Sequence, residues 1–379
     1  MLPVMQRQRF EPRRAVLALA LLLATLLVVT AARAERTTVA SFDIGSGTTR
    51  LLVADVDPCG IALPQIHERQ SRRLSYAADL LNPPTGRFSP ALMAEASATM
   101  QELIEHAQAY QPERIVAVAT QAFRAAANAE ELVDEWRQRW GLDVRILSQE
   151  EEARLAYRLV LSRLAEVPEQ LIVWDIGAGS QQLVWREPGS ARWGHVNSRI
   201  ASVSFRNRAL EWLSRPADQS SPNPLSAAEV EQLAAALGEW INPDDSALIR
   251  HRVEQGATVV GIGGVHGASL VNQLNLAPGE EITRDGIAAA LAKQLGRSDQ
   301  EIGGDYADTD VVNLILVGTL MDHFGMQNYQ VMPMDLTEAV LLDLMPAANA
   351  KPAGNPSPAA SPCRVSERDI QEPLVPCRS

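Results

Sequence analysis

Cysteine is scarce in this chain, and no two cysteines lie close enough in sequence to make a thiolate metal site. Cys59 stands alone, while Cys363 and Cys377 lie near the C-terminus, each preceded by Pro. Zinc sites of the finger or ribbon type need tightly paired Cys or His ligands, so none is expected. The six His residues likewise lack metal-ligand spacing. Net positive charge is absent too. A formal charge of −12 argues against nonspecific attachment to nucleic acid or anionic lipid, which needs clustered Lys and Arg. Trp136, Trp140 and Trp185 fit core or domain-edge packing better than base stacking. Nothing in the composition suggests a fibre, a repeat array or a multi-span membrane protein.

The 46% hydrophobic and 21% charged residues are those of an ordinary globular protein, and 379 residues suffice for two domains with separate cores. The N-terminus differs from the rest. Arg7, Arg9, Arg13 and Arg14 precede an apolar run from Ala15 to Ala32, followed by Ala32-Arg33-Ala34. A basic flank, a short apolar stretch and small residues two apart describe a secretory signal over residues 1–34, cleaved before Glu35. An uncut anchor in the inner membrane is the rival, since the run approaches the roughly 18 apolar residues that permit spanning. Cleavage would place the protein in the periplasm or outside the cell, with no membrane attachment, and would bring the net charge to about −16. An oxidising compartment permits a Cys363–Cys377 disulfide closing a loop of about 15 residues, worth about 3 kcal/mol. Isolated thiols are the alternative, and both readings stay open.

Periodicity and turn residues divide the remainder into alternating strands and helices. Thr37–Ile44 and Arg50–Asp55 read as strands around Gly45-Ser46-Gly47-Thr48, with a third strand at Ile61–Arg73. Ser89-Pro90 opens a helix to about Tyr110, with Pro at the first helical position, where its missing N–H costs nothing. A strand at Arg114–Ala119, a helix at Asn128–Trp140 and a strand at Val144–Leu147 lead to a helix beginning at Ser148. The second half opens like the first. Leu171–Asp175 and Gln181–Trp185 flank Gly177-Ala178-Gly179-Ser180. Helices follow at Ser226–Ile241 and Asp245–Gln255, then a strand at Ala257–Ile262, Gly263-Gly264, and a helix from Val265 to about Asn275. Helices at Thr283–Leu295 and Asp310–Gly325, a strand at Asn328–Met332 and a helix at Leu336–Leu344 complete the folded part. Residues 347–379 are rich in Pro, Ala, Ser and Asn and read as a tail.

Two strand–turn–strand elements thus recur, Asp43-Ile44-Gly45-Ser46-Gly47 and Asp175-Ile176-Gly177-Ala178-Gly179-Ser180. Each puts an Asp at a strand end before a Gly-rich turn. Glycines let backbone N–H groups approach phosphate oxygens, hydroxyls add donors, and Asp can orient a hydrated Mg²⁺. One such turn is more often an ordinary hairpin; two, one per half, point to a phosphate site. Gly261-Ile262-Gly263-Gly264 before a helix adds a third anion-facing turn. Arg50 and Arg124 sit where a guanidinium fork would face phosphate, with a surface ion pair as the alternative for Arg50. Arg69, Arg72 and Arg73 either lengthen a polyanion track or form a solvated strand face. Ser148 and Glu151 fit a capping box, and three Glu residues suit a helix N-terminus in any case. His266 follows Gly263-Gly264 and reads more readily as a satisfied structural residue.

The pattern resembles the exopolyphosphatase / guanosine pentaphosphate phosphatase family of the actin–sugar kinase–Hsp70 superfamily. Asp43-Ile44-Gly45-Ser46 with Arg50 matches its first phosphate loop. Ala119-Thr120-Gln121-Ala122-Phe123-Arg124 with Asn128 matches a second block, and Arg145-Ile146-Leu147-Ser148-Gln149-Glu150-Glu151-Glu152-Ala153-Arg154-Leu155 a third. The second loop and Gly261–Gly264 complete the order over about residues 37–345. The resemblance implies an α/β protein of two ribonuclease-H-like (actin-like ATPase) domains with the active site in the cleft between them. The expected division is 35–152, completed by about 326–346, and 153–325. It also implies homodimers, Mg²⁺ as cofactor with Asp43 and Asp175, and Glu152 as the residue that activates or positions attacking water. Gly45, Ser46, Gly47, Thr48, Arg50, Arg124, Gly177, Ala178, Gly179, Ser180, Gly263 and Gly264 would hold the substrate. Two positions depart from the pattern: Gly47 stands in place of Asn, and Gln182 in place of a Glu that points into the cleft. The reaction implied is Mg²⁺-assisted attack of water on a terminal phosphoryl group. Export favours inorganic polyphosphate over a cytosolic guanosine polyphosphate, and the absence of an extra helical domain favours a short chain. Alternatives are a non-catalytic sensor of phosphate compounds or of a partner, suggested by Gln182 and Gly47, and an actin-like sugar kinase.

Overall fold

Strands buried on both faces read as mostly apolar runs; β6 (Leu171–Ile176) is apolar up to Asp175, and β1 (Thr37–Ile44) is buried from Val39 onward although it carries Ser41 and Asp43. Each sits inside a mixed sheet in the computed structural model, which describes residues 36–57, 64–81, 86–187, 189 and 192–344. The expected signal 1–34, Cys59, and the tail with Cys363 and Cys377 lie outside the described residues.

The first sheet adds β2 (Thr48–Val56), β3 (Gln65–Arg73), β4 (Arg114–Ala119) and β5 (Val144–Ile146), in the order β3-β2-β1-β4-β5. The second contains β7 (Gln181–Arg186), β8 (Trp193–Ser198), β9 (Thr258–Ile262), β10 (Glu281–Thr283) and β11 (Asn328–Val331), in the order β10-β11-β9-β6-β7-β8. One plan is used twice. A three-strand meander begins on a central strand, and two further strands then add in parallel on its other side: β4 beside β1 and β5 beside β4, β9 beside β6 and β11 beside β9. This is the expected duplicated ribonuclease-H-like α/β arrangement, with β10 added antiparallel on one edge.

The helices are α1 (Tyr76–Leu81), α2 (Pro90–Gln108), α3 (Gln121–Ala125), α4 (Ala129–Trp140), α5 (Gln149–Leu161), α6 (Ser202–Trp212), α7 (Ala227–Trp240), α8 (Pro243–Glu254), α9 (Val271–Leu274), α10 (Arg284–Gln294), α11 (Asp299–Ile302), α12 (Ala307–Phe324) and α13 (Leu336–Asp343). Helix α12 is buried almost all round and forms the spine of the second half's core. A separate core fills the first half around Phe42, Phe123 and Trp136. Between them a third apolar cluster joins Val118 and Leu147 to α5, to β6, β7 and β9, and to α13.

Several expectations need correction. The third strand begins at Gln65 within the described residues. Helix α1, strand β8 and helix α6 were not expected, because α6 carries Ser202, Ser204 and Asn207, poor helix formers held by tertiary contacts. The helix expected from Val265 to Asn275 opens with a π-helical turn, Val265–Leu270, and continues as α9. Gly267 in this turn lies so near Pro333 that a Cβ would approach its Cα to 2.8 Å. The division after residue 152 falls inside the continuous helix α5. Strand β11, expected to complete the first half, pairs instead with β9 of the second sheet.

Candidate active site

The two Gly-rich hairpin turns close in the same way. Gly45 N donates to Thr48 O at 2.9 Å, and Gly177 N donates to Ser180 O at 3.0 Å. Each turn also receives the chain that follows its third strand. Ala77 N donates to Ser46 O, and Val203 N to Ala178 O, both at 2.9 Å. The two turns touch. A Cβ on Gly47 would lie 2.9 Å from Ala178 Cβ, and one on Gly179 would lie 2.7 Å from Ser46 Oγ. These glycines are therefore needed for close approach between the loops. Gly263, with φ of +84°, brings the third turn against Asp175, whose Oδ1 a Cβ would meet.

Helix periodicity aims Glu152 inward. Ser148 and Glu151 form the expected capping box, and Glu150 and Glu151 stay exposed. Glu152 shares its face with Leu155, Ala156 and Leu159, and only 5% of its surface is exposed. Arg124 donates to Glu152 Oε2 at 2.8 Å and to Leu147 O at 2.7 Å. Arg50 donates to Asp43 Oδ2 at 3.2 Å, and its Nε lies 3.8 Å from Asp335 Oδ2. Burial raises the Glu152 carboxyl above its usual range, against the opposing pull of Arg124. Asp43 is raised to about 7, chiefly by burial, with Arg50 opposing and Asp335 and Glu152 adding to it. Burial, and then Glu152 and Asp43, push Asp175 well up.

A cleft of about 830 Å³ collects Asp43, Gly45, Ser46, Gly47, Thr48, Arg50, Glu152, Asp175, Gly177, Ala178, Gly179, Ser180, Gly263 and Gly264. Arg124 is placed differently from expectation. It is absent from the cleft wall and stands behind Glu152, because α3 turns its guanidinium onto Glu152, Leu147 and Gln121. Gln182 pairs across the hairpin with Asp175 and is 1% exposed, with Nε2 donating to Ser180 Oγ at 3.1 Å. It braces the loop and does not line the cleft. Arg69 and Arg73 reach the cleft, whereas Arg72 pairs with Glu102. His266 is a core residue: its Nδ1 lies 2.7 Å from Tyr329 Oη and its ring packs on Trp174. Burial lowers its pKa to about 3, which keeps it neutral.

Sequence reasoning missed Asp335, Arg206 and Tyr306 on the cleft wall. Asp335 alone left a trace, as an N-cap type immediately before the α13 pattern. The donor set suits Mg²⁺. Asp43 Oδ1 is buried and has no hydrogen-bond partner among the described residues, and carboxylate oxygens are hard ligands. No three acidic, His or Cys side chains among the described residues converge into a protein-only cage. Mg²⁺ does not need one, since it keeps several waters and binds through one or two carboxylates plus substrate phosphate.

Known proteins share this chain's sequence pattern and fold. The profile of the Ppx/GppA phosphatase family matches residues 52–346. Exopolyphosphatase 2 of Mycobacterium tuberculosis is 26% identical over 332 residues, covering 81% of this chain and 98% of that protein. The crystal structure of the Aquifex aeolicus member of the Ppx/GppA family superposes with a TM-score of 0.59 at 23% identity, covering 81% of this chain and 97% of that one. An exopolyphosphatase from Cytophaga hutchinsonii gives a TM-score of 0.66 at 16% identity, covering 82% and 99%. These two structures speak to the fold.

Proposed function

The chain belongs to the Ppx/GppA phosphatase family, and from that premise we propose that it hydrolyses terminal phosphoanhydride bonds of short-chain inorganic polyphosphate or a related polyphosphorylated compound. The observation that carries this reading is the buried Glu152, held by Arg124 in one cleft with both Gly-rich turns. Backbone N–H groups and the Ser46, Thr48 and Ser180 hydroxyls of the turns would cradle the terminal phosphoryl group, with Arg50 beside them. Water attacks phosphorus in line with the bridging oxygen: the new P–O bond forms from water, and the bridging P–O bond breaks. Glu152 accepts the water proton. Its environment suits this role, because burial raises its basicity while Arg124 keeps it ionised and oriented. Asp43 and Asp175 would hold Mg²⁺, which would neutralise charge developing on the phosphoryl oxygens. Such a lining reconciles an acidic protein with a polyanionic substrate. Export by the N-terminal signal, and association as a homodimer, belong to the same reading.

The test is release of orthophosphate from polyphosphate in the presence of Mg²⁺. Glu152→Gln is expected to lower kcat by about 10²- to 10⁴-fold, the usual contribution of a positioned general base. Undiminished release by Glu152→Gln would sink the assignment of the base. A wild-type protein that binds polyphosphate but cleaves no phosphoanhydride would instead be a sensor. That second reading draws on Gln182, which braces the loop from beneath and offers the cleft no carboxylate.

A further inference from the structure

Asp335 uses its two carboxylate oxygens differently. Oδ1 caps α13, accepting from Thr337 N at 3.0 Å and from the Thr337 hydroxyl. Oδ2 takes no part in the cap and lies 3.8 Å from Arg50 Nε, beyond hydrogen-bonding distance. The residue lines the cleft together with Asp43 and Asp175. Its segment is tied down on both sides, for Met334 O accepts from Gly263 N at 3.0 Å and Thr337 O from Ser41 Oγ at 2.9 Å. Asp335 is thus held between β1 and the Gly263 turn that follows β9.

A helix cap needs no charge, since Ser or Asn serves equally well. Nor does binding a polyanion favour another carboxylate. Around Arg50, the carboxylates of Asp43, Asp175, Asp335 and Glu152 meet one guanidinium on the cleft wall, with Arg124 standing behind Glu152, while Arg69, Arg73 and Arg206 are already paired with Glu338 and Asp308. This local group therefore holds more carboxylates than guanidiniums, which a divalent cation would offset. Glu152 is neutralised by Arg124 at 2.8 Å, while Asp335 has no ion pair that close. Asp43 Oδ1, buried and unpartnered, faces the same need for a positive partner.

We propose that Asp335 is a third carboxylate of the divalent-cation site formed with Asp43 and Asp175, contributing Oδ2 through a metal-bound water, since no three acidic side chains among the described residues converge as direct ligands. The assignment rests on the phosphatase reading for its choice of cation, yet it can be measured without substrate. Mn²⁺ serves as a paramagnetic probe, followed by water-proton relaxation on the full chain. Asp335→Asn and Asp335→Ser both keep a capping oxygen and remove the charge. Each is expected to weaken Mn²⁺ binding at least tenfold, with the thermal midpoint in chelator unchanged or higher, because a repelling charge is gone. The Mg²⁺ concentration for half-maximal phosphate release should rise in parallel.

Mn²⁺ affinity unchanged in both variants overturns the assignment, as does a wild-type protein that binds no Mn²⁺. Weakening confined to a variant that is also less stable in chelator overturns it too, by reducing Asp335 to a helix cap. Asp335-dependent Mn²⁺ binding in a protein that cleaves no phosphoanhydride leaves the ligand standing and refutes the phosphatase reading. Mg²⁺-dependent cleavage with Asp335-independent Mn²⁺ binding does the reverse.

Discussion

Gly47 and Ala178 show how a departure at one position is explained by its neighbour in space. Neither is remarkable in its own loop, yet a Cβ on Gly47 would sit 2.9 Å from the Ala178 methyl. Gly47→Asn is therefore expected to destabilise the protein by about 1–3 kcal/mol, the usual cost of overpacking. Ala178→Gly should recover much of that loss, and a double-mutant cycle in urea measures the coupling. A second consequence at this scale concerns Asp43. In the folded, metal-free protein its carboxyl titrates near 7, against 3.8 ordinarily. The native state therefore keeps a proton that the unfolded chain has lost. Metal-free stability should fall as pH rises from about 4 to about 7, and Asp43→Asn should flatten the fall. An equally steep decline in Asp43→Asn would refute this.

Helix α5 carries its catalytic candidate because of how it starts. Ser148 Oγ accepts from Glu151 N at 3.2 Å, while Ser148 N donates to Glu151 Oε2 at 2.8 Å. This box fixes the first turn, and Glu152 follows it by one residue. Ser148→Ala should cost about 1 kcal/mol and lower kcat more than it raises KM, by loosening Glu152 against Arg124. Ser148→Asp, which caps as well, should restore both. The capping box was readable in the sequence because it is a local pattern of four residues, whereas Glu152 was singled out by the family resemblance. Strand β8 and helix α6 were not readable, since their weak propensities are overridden by neighbours. For Arg124 the residue type was informative but its destination was not: an Arg on the short helix α3 can reach a ligand or a neighbouring carboxylate, and only packing decides.

Across the whole molecule, the meander of the first sheet is tied to the second half beyond the loops. Asp308, at the start of α12, accepts from Arg73 of β3 at 2.7 Å and also from Arg206 of α6. Arg73 further donates to Asp305 O and lies over the Tyr306 ring, 5.2 Å from its centroid. Arg206 is nearly buried, so its guanidinium depends on this partner. Asp308→Asn should cost about 3 kcal/mol, as expected when one member of a buried pair is removed. Glu131→Gln, which breaks the exposed pair with Arg87, should cost under about 1 kcal/mol. Equal effects in thermal unfolding would show that Asp308 is not structural.

The duplicated strand–turn–strand units and the Ser148–Glu151 capping box follow from the sequence itself, because backbone conformation and helix capping are set over a few residues. The contact between Gly47 and Ala178, the withdrawal of Arg124 and Gln182 from the cleft wall, the transfer of β11 to the second sheet and the arrival of Asp335 were decided by tertiary structure. Each joins residues far apart in the chain, and their meeting depends on which faces the third apolar cluster brings together.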